Sequence, residues 1–354
     1  MTTQTRREPD SDEFPADAAL ADQAAFLLRY AILAPSSHNS QPWTFAVVDG
    51  EIRIYADESR RLSIADPDGR ELDVSVGCAL ENLLVAIEHF GLGYSVEYAP
   101  DNGGQRDGED PDGQTVPGAT KRAGAEPYHH AATVTVEPTS DNSSSRDPVL
   151  FDAITERRTN HRPFTDRAIP QTLFDRFETC VTGEQIGIEF VTDSSVRSDI
   201  AALQTRADER QFANPDYRAE LGRWIGSGAL GANWLTARIG QLAVRHLDIG
   251  EREGQKDSTL LTSAPAIAVV TAERDTLESR LRVGQTFERI ALLATIEGLA
   301  VHPMSQILEV PAFSEELTAI AGLTESIPLH LFRLGYAESD STRTPRRPLE
   351  DMLR

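Results

Sequence analysis

A run of small polar residues lies between an apolar stretch and a β-branched stretch early in this chain. Residues 35–41 have the sequence Pro-Ser-Ser-His-Asn-Ser-Gln, and Trp43 follows shortly after. The proline ends the preceding apolar helical pattern, and the residues from Phe45 to the Asp49-Gly50 turn predict a strand. Hydroxyls, amides and backbone N–H groups in such a corner can bind a flat polar ligand without a metal or a charge. An ordinary serine-capped loop would have a similar composition. We call residues 33–43 the polar corner.

Arginines cluster in the second half of the chain. Residues 156–164 have the sequence Glu-Arg-Arg-Thr-Asn-His-Arg-Pro-Phe, which places Arg157, Arg158 and Arg162 within six residues. Guanidinium groups match phosphate oxygens in a bidentate manner, and each charge-assisted hydrogen bond is roughly twice as strong as a neutral one. A phosphate clamp and a solvated cationic helix end, which the helix dipole also favours, are both consistent with this pattern.

Two further segments of the second half carry polar groups near predicted turns. Residues 302–306 have the sequence His-Pro-Met-Ser-Gln and follow an apolar helical pattern that ends at Gly298. His302 could act as a general acid, although a loop histidine is more often structural. Residues 344–349, Thr-Pro-Arg-Arg-Pro-Leu, form a basic tail in a chain otherwise rich in Asp and Glu. A basic tail without a role would have the same composition, but arginines at solvated positions are unusual in so acidic a chain.

Hydrophobic periodicity indicates the elements that must position these segments. Helices are predicted at about 20–34, 72–90, 148–158, 170–182 and 280–297, and strands at about 45–48, 51–56, 94–98, 132–136, 187–191, 266–270 and 329–336. A helical region from about 194 to 255, which contains Trp224 and Trp234, is predicted to be a covering segment, or lid.

The two longest predicted helices repeat one pattern, which indicates an internal duplication. Setting Gly77 against Gly284 aligns Leu80 with Phe287, Glu81 with Glu288, Leu83 with Ile290, Gly91 with Gly298 and Leu92 with Leu299. Each helix is thus ended by Gly-Leu at the same distance from its first glycine. The sequence therefore predicts two related halves.

Composition limits the class of function. The chain has 354 residues and a formal net charge of -22, which would repel the phosphates of nucleic acids and anionic membranes, so neither is a predicted partner. No apolar run approaches the ~20 residues that span a bilayer, and acidic residues follow Arg6-Arg7, so we expect a cytoplasmic protein. Cys78 and Cys180 are too few and too far apart for a disulfide framework or a zinc site.

Lysine occurs only at Lys121 and Lys256, and arginine supplies every other cationic side chain. This pattern resembles proteins adapted to molar salt, in which repulsion between surface carboxylates is screened within a few ångströms. We therefore expect a halophilic cytoplasm. An acidic protein encoded by a genome of high GC content would also favour arginine over lysine.

The string Ala-Pro-Ser-Ser-x-Asn-x-Gln-Pro-Trp-x-Phe at residues 34–45 resembles the flavin-contacting segment of the nitroreductase family of FMN enzymes. The arginine segment is similar to that family's phosphate segment, residues 302–306 to its loop beside the flavin ring, and the basic tail to its C-terminal phosphate contact. The Arg-Arg-Thr-Asn sequence and the lid resemble the Acg-like branch of the superfamily. The resemblance covers nearly all of residues 20–350.

The resemblance implies an α+β, nitroreductase-like fold with a central, mainly antiparallel sheet flanked by helices. It further implies a fused pseudo-dimer in one chain with a single composite FMN site, and it leaves open whether two such chains associate. The predicted organisation is a disordered arm at 1–18, a first half at 19–147 with a mobile acidic insertion at 100–127, and a second half at 148–354 with the lid at about 194–255.

The resemblance also assigns the FMN-binding residues. They are Pro35, Ser36, Ser37, Asn39 and Gln41 in the corner, Arg157, Arg158, Thr159, Asn160 and Arg162 in the arginine segment, Pro303, Met304, Ser305 and Gln306 beside the ring, and Arg346 and Arg347 in the tail. It implies that Arg162 lies near the flavin N1/O2 edge and that a backbone N–H of Ser305 or Gln306 faces N5. Whether Thr159 or Asn160, and Arg346 or Arg347, contacts the phosphate stays open.

The implied activity is that of an FMN-dependent oxidoreductase. Hydride would pass from NADH or NADPH through FMN to a small nitro or quinone-like acceptor, and no side chain need react because transfer occurs at flavin N5. No Gly-x-Gly-x-x-Gly fingerprint follows a strand, so the nicotinamide would stack transiently on the flavin. The alternative is an FMN-binding or storage protein whose lid closes the flavin to NAD(P)H.

Overall fold

The computed structural model describes residues 9–48, 50–100, 127–138, 146–227, 229, 250–323, 325–338 and 343–354. Nearly all of the predicted acidic insertion, the start of the predicted arm and the central part of the lid, including Trp234, therefore lie outside the described residues. No helix in the described ranges is long and apolar enough to cross a bilayer.

Each half of the chain contributes four strands and several helices. The strands are β1 (Trp43–Val48), β2 (Glu51–Asp57), β3 (Gly93–Tyr98), β4 (Tyr128–Glu137), β5 (Ile186–Val191), β6 (Ala266–Ala272), β7 (Ala300–Pro303) and β8 (Ile327–Gly335). The helices are α1 (Leu20–Ala31), α2 (Arg70–His89), α3 (Leu150–Glu156), α4 (Gln171–Glu178), α5 (Ser194–Ala213), α6 (Pro215–Gly226), α7 (Gly250–Ser263), α8 (Leu277–Ile296) and α9 (Pro311–Ile320).

The strands form two antiparallel sheets with the same topology. The strand order is β1-β2-β4-β3 in the first half and β5-β6-β8-β7 in the second. In each half a 20-residue helix, α2 or α8, lies between the second and third strands. The structure confirms the α+β class and the internal duplication, and each half has an antiparallel sheet of its own.

Helices α2 and α8 pack against each other at the two aligned glycines. A Cβ atom built on Gly77 would lie 2.1 Å from the carbonyl oxygen of Leu281, and one on Gly284 would lie 2.0 Å from that of Val74. The two contacts are equivalent, because each glycine faces the carbonyl three residues before the other. The halves are therefore related by a pseudo-two-fold axis through this crossing, as in an isologous dimer interface.

The two central helices also end in the same way. Gly91 and Gly298 adopt the left-handed conformation, with φ of 72° and 70°. The following leucine N–H donates to the carbonyl oxygen five residues earlier, Ile87 for Leu92 and Ala294 for Leu299. These are Schellman-type ends, in which the glycine relieves the strain of a positive φ. The aligned Gly-Leu pairs thus have one structural cause.

The second sheet is covered on both faces, and part of the predicted lid belongs to this covering. Ile200 and Leu203 of α5 and Leu261 of α7 form one apolar cluster with Ile267 and Val269 of β6. Burial of such side chains contributes roughly 1.5–3 kcal/mol each. Helix α5 is therefore core structure of the second half.

Helix α6, also within the predicted lid, packs on the first half. Tyr217 lies in an apolar cluster with Leu62 and Ala65. The Glu220 carboxylate accepts hydrogen bonds from the backbone N–H groups of Ile64 and Ala65 at 3.1 and 3.0 Å. The two halves are joined here as well as at the helix crossing.

Both ends of the described chain pack against the first half. Phe14 stacks on Phe90 with ring centroids 4.1 Å apart, so the described end of the arm that was predicted to be disordered is packed onto the fold. At the other end, Leu353 forms a parallel bridge with Phe45 of β1, and the Arg354 N–H donates to the Phe45 carbonyl oxygen at 2.8 Å. The tail of the second half thus extends the sheet of the first.

Gly77→Ala and Gly284→Ala should each destabilise the protein severely. The added methyl group would overlap a backbone carbonyl that cannot rotate away, so we expect the free energy of unfolding to fall by roughly 3 kcal/mol or more. Gly91→Ala and Gly298→Ala are matched controls. They have no atom within 4 Å of the new Cβ and should cost about 1–2 kcal/mol from the left-handed backbone alone. Urea unfolding of the four variants tests this, and equal losses in both pairs would contradict the close helix contact.

Candidate functional site

The polar corner is held in a strained backbone conformation. His38, Asn39 and Gln41 have positive φ values of 52°, 51° and 50°, although none is glycine. Each such residue costs of order 1 kcal/mol and persists only when surrounding contacts enforce it. Ser36 supplies one contact within the corner, since its Oγ accepts the Gln41 N–H at 2.9 Å.

The basic tail supplies several of the other contacts, and the Ala229 carbonyl oxygen, which accepts from Asn39 Nδ2 at 2.7 Å, supplies another. Asn39 Nδ2 donates to the Pro345 carbonyl oxygen at 2.8 Å, and Asn39 Oδ1 accepts from Arg346 at 3.1 Å. Gln41 Oε1 accepts the Arg347 N–H at 2.8 Å, and the Arg347 guanidinium donates to the Gln41 carbonyl oxygen at 3.2 Å. The structure thus brings together the corner and the tail, two segments predicted to share a site.

The arginine segment reaches the same corner. Arg157 and Arg346 both donate to the Leu33 carbonyl oxygen, at 3.2 and 2.9 Å. Arg158 follows directly and donates to the carbonyl oxygens of Thr155 and Arg157 at 2.7 and 2.6 Å. We call Arg157, Arg158 and Arg346 the arginine cluster.

The cluster carries more positive charge than the protein neutralises nearby. Burial, followed by the charge of Arg157, lowers the pKa of Arg346 to about 9, with Glu288 acting in the opposite direction and Arg158 adding to the shift. Burial and then Arg157 also lower the pKa of Arg158. Arg346 Nε is buried and has no hydrogen-bond partner among the described residues. An anion such as a phosphate monoester fits this donor set.

Glu71 and His330 connect the polar corner to residues 303–306, the loop predicted to lie beside the flavin ring. Ser37 Oγ donates to Glu71 Oε2 at 3.0 Å, and Glu71 Oε1 lies 3.8 Å from His330 Nδ1. The same ring nitrogen lies 3.2 Å from Ser305 Oγ. These polar contacts run from the first half of the chain to the second, so they link the polar corner to the loop that contains Ser305.

Glu71 is held in place by the start of α2. Asp66 accepts the backbone N–H groups of Glu71 and Leu72 at 3.1 and 3.0 Å, as an N-terminal capping residue does. Burial would raise the pKa of the Glu71 carboxyl, but its interactions with His330, Arg70 and Ser37 lower that pKa to about 2. The carboxylate is therefore charged at neutral pH.

Sequence reasoning missed both Glu71 and His330. Glu71 looks like an ordinary acidic residue in the first turn of a helix. His330 lies in the apolar pattern of β8, which predicts a buried strand and does not single out the histidine. The one available signal was a histidine inside an otherwise buried strand, since a buried polar side chain requires a partner.

The other residues predicted to lie beside the flavin ring, Pro303, Met304 and Gln306, have different neighbours. Met304 is buried in the apolar cluster of the second sheet, and Pro303 ends β7 opposite Phe332. Gln306 Nε2 donates to Asp257 at 3.3 Å. Of this group, Ser305 is the residue whose side chain joins the contacts with His330.

Residues 159–162 are positioned by the edge of the second sheet. Thr159 bridges Val301, and the Asn160 N–H donates to the Val301 carbonyl oxygen at 3.1 Å. Asn160 Oδ1 accepts the Arg162 N–H at 2.9 Å. The Arg162 side chain is 53% exposed and lies 3.6 Å from Glu338, so the structure does not bring it to the arginine cluster.

His302 is held by a buried arginine. Arg333 Nε donates to His302 Nδ1 at 3.1 Å, and the same guanidinium donates to the carbonyl oxygens of Asn160 and Arg162 at 3.0 and 2.8 Å. The Arg333 guanidinium also lies 3.9 Å from the centroid of the Phe164 ring. These contacts give His302 a positioning role between β7 and the arginine segment.

The corner encloses little free space next to Glu71. Ser37, Ser40, Arg60, Asp66 and Glu71 are among the residues that line a cavity of about 10 Å³, which has room for one water molecule. Arg60 donates to the Ser40 carbonyl oxygen and lies 5.5 Å from the Trp224 ring of α6. A flat ligand at the polar corner would therefore have to displace some of the residues that cover it. Among the described residues, the tail makes most of these covering contacts.

The chain resembles known proteins over nearly its whole length. It is 26% identical over 342 residues to "Putative NAD(P)H nitroreductase acg" of Mycobacterium tuberculosis, which covers 92% of this chain and 93% of the relative. A second protein of that organism, also named a putative NAD(P)H nitroreductase, is 26% identical over 342 residues, covering 94% of this chain and 91% of its own. No family model matches the chain.

Solved structures give a weaker likeness. The FMN-dependent nitroreductase NfnB from Mycobacterium smegmatis, in complex with NADPH, aligns with 58% of this chain and 97% of its own at 21% identity, with a TM-score of 0.41. An iodotyrosine deiodinase bound to FMN and 3-iodo-L-tyrosine aligns with 56% of this chain and 95% of its own at 16% identity, with a TM-score of 0.40.

Glu71→Gln should lower stability in a pH-dependent way. A carboxyl with a folded pKa of about 2 and an unfolded value of 4.5 stabilises the fold above pH 4.5 and loses that contribution as the pH falls towards 2. We expect a loss on the order of 3 kcal/mol at pH 7 that shrinks between pH 5 and pH 3. Urea unfolding at several pH values measures it. Glu178→Gln, on the exposed face of α4, is the control, and a pH-independent loss in Glu71→Gln would contradict this interpretation.

Proposed function

We propose, from the premise that this chain is a relative of the Acg-like nitroreductases over nearly its whole length, that it is an FMN-binding oxidoreductase of the nitroreductase type. The observation that carries the proposal is the meeting of three distant segments at one carbonyl. Arg157 and Arg346, 124 and 313 positions from Leu33 in sequence, both donate to its oxygen at the edge of the strained corner.

The chain's own residues would bind FMN in two ways. Arg157, Arg158 and Arg346 would hold the phosphate, since Arg157 is buried, the other two are half-buried, and the buried Nε of Arg346 has no partner among the described residues. Ser36, Asn39 and Gln41 would hydrogen-bond the polar edge of the ring from the corner, and the backbone at Ser305 and Gln306 would face it from the second half. When bound, FMN supplies hydride and electron transfer.

The protein's part in the reaction is then binding and positioning. The Glu71–His330 contacts would fix the corner relative to the Ser305 loop, so that the ring is held between two rigid elements. We infer NADH or NADPH as the donor, in line with the names of the relatives, and a small nitro or quinone-like molecule as the acceptor. The acidic, lysine-poor composition supports a cytoplasm of high salt.

A second candidate function is FMN binding or storage without NAD(P)H turnover. It is favoured by the closed corner. Asn39 and Gln41 are both engaged by the tail, the adjacent cavity has a volume of only about 10 Å³, and α6 packs over Arg60 through Trp224. A flavin bound beneath these contacts would be shielded from an external hydride donor.

Removing two arginines of the cluster should weaken FMN binding. Charge-assisted hydrogen bonds contribute about 1.5–3 kcal/mol each, so Arg158→Ala with Arg346→Ala should raise the Kd for FMN by roughly 100-fold or more. Quenching of FMN fluorescence measures the Kd. Arg206→Ala, which removes an exposed ion pair to Glu316, is the control. An unchanged Kd in the double variant would remove the cluster from the phosphate site.

Anaerobic addition of NADH or NADPH to the FMN-loaded protein separates the two functions. A reductase should lose the visible absorbance of oxidised flavin on mixing with at least one donor and regain it with a quinone. A storage protein should keep the absorbance with excess of either donor. Dithionite is the control that shows the bound flavin can be reduced, and bleaching by dithionite alone would overturn the reductase proposal.

A further inference from the structure

Two buried glutamates occupy equivalent places beside the pseudo-two-fold axis. Glu81 lies four residues after Gly77 on α2, and Glu288 lies four residues after Gly284 on α8. Both have no solvent exposure. In an exactly duplicated chain they would have the same surroundings, so any difference between them marks a difference between the halves.

Glu81 is fully neutralised. Its oxygens accept from Arg146 Nε at 2.7 Å and Nη2 at 3.1 Å, from Arg289 Nε at 2.7 Å and from Gln285 Nε2 at 3.1 Å. Burial would raise its pKa, but Arg146 and Arg289 lower that pKa to about 2. Glu81 is therefore a permanently charged structural group.

Glu288 is not neutralised in this way. Arg157 Nε lies 3.3 Å from Glu288 Oε1, but within the described part of the chain neither carboxylate oxygen accepts a hydrogen bond of good geometry. Burial raises its pKa to about 7, and Glu81 adds to this shift, against the lowering effects of Arg157, Arg346 and the nearby amide of Asn82. Glu288 therefore changes charge near neutral pH.

The difference follows from the residues that face each glutamate. Glu81 faces Gln285 and Arg289 of α8, whereas Glu288 faces Cys78 and Asn82, the residues at the equivalent positions of α2. The charged or titratable groups that act on Glu288 are Arg157 after α3, Arg346 in the tail, and Glu81 and Cys78 on α2. The incompletely neutralised glutamate is thus the one that contacts the arginine cluster.

We propose that Glu288 is a proton-accepting positioning residue, and that binding of a dianion at the arginine cluster is coupled to uptake of one proton by Glu288. The inference rests on the proposed function only for the identity of the anion, a flavin phosphate. The coupling itself requires only that the anion and Glu288 share the same arginines.

The sign of the coupling follows from the charges. An ionised Glu288 and a bound dianion would both be negative and would compete for Arg157 and Arg346. Protonation of Glu288 removes this repulsion and leaves both arginines to the anion. Below about pH 6 the carboxyl is already neutral and no proton is taken up. Above pH 7 binding must take up a proton, so affinity falls as the pH rises.

Calorimetric titration with sulfate at pH 7.5, in two buffers of different ionisation enthalpy, tests this inference. Sulfate stays a dianion throughout the range, so any proton taken up goes to the protein. At pH 7.5 Arg346 stays protonated and about three quarters of Glu288 is ionised, so we expect uptake of up to about 0.8 proton for the unmodified protein and Glu81→Gln, and almost none for Glu288→Gln. At pH 7.5 Glu288→Gln should bind sulfate roughly fourfold more tightly than the unmodified protein, and at pH 6 about equally well.

The same titration with FMN separates this inference from the proposed function. Proton uptake with sulfate but no FMN binding would overturn the function and support the coupling. FMN binding without proton uptake would support the function and overturn the coupling. Failure of both ligands to bind would overturn both. If either glutamine variant does not fold, proton uptake by the unmodified protein at pH 7.5, where Arg346 is already protonated, and its loss at pH 6 still decide the question.

Discussion

The close approach of α2 and α8 at Gly77 and Gly284 is the constraint on which the rest of the structure depends. Side chains larger than hydrogen at these positions would force the helices apart, because each faces a backbone carbonyl at about 2 Å from its missing Cβ. The crossing fixes how the two sheets face each other. It also places Glu81 and Glu288 in the interior, where residues from both halves must compensate their charges by ion pairs or hydrogen bonds.

The candidate site is a consequence of this arrangement, because it is built across the junction. The corner comes from the first half, and the arginine cluster and Ser305 come from the second. Glu71 of α2 and His330 of β8 connect them. The strained backbone of Asn39 and Gln41 is stabilised by the tail, so the corner's conformation depends on a segment about 300 residues away. The site therefore cannot form in either half alone.

Local signals in the sequence predicted much of the fold. The aligned glycines and Gly-Leu helix ends revealed the duplication because close helix contact and left-handed caps each require glycine. The composition of residues 35–41 predicted a ligand-binding corner, and the arginines predicted anion sites. Two relatives named putative NAD(P)H nitroreductases, each 26% identical, match nearly the whole chain, in line with the resemblance of its motifs.

Features that depend on partners distant in sequence could not be predicted in the same way. Nothing local distinguishes Glu71 from other acidic residues of a first helical turn, or Glu288 from Glu81. The charge state of each is set by which residues of other elements face it. Arg162 is a further case, since its place in the motif implied a contact with the flavin ring, which stays a prediction, and the structure gives its side chain a solvent-exposed ion pair with Glu338. Motif position fixes the backbone of such a residue but not its side-chain partners.

Fusion of two halves into one chain explains why the two sides of the axis can differ. A homodimer of identical subunits must place the same residues on both sides of its two-fold axis. In a single chain each side can change separately. Here Arg146 and Arg289 neutralise Glu81 on one side, while Asn82 and Cys78 leave Glu288 incompletely neutralised on the other. A buried carboxylate that lacks full pairing is costly. Arg157 and Arg346 offset part of that cost, and both belong to the arginine cluster beside the polar corner.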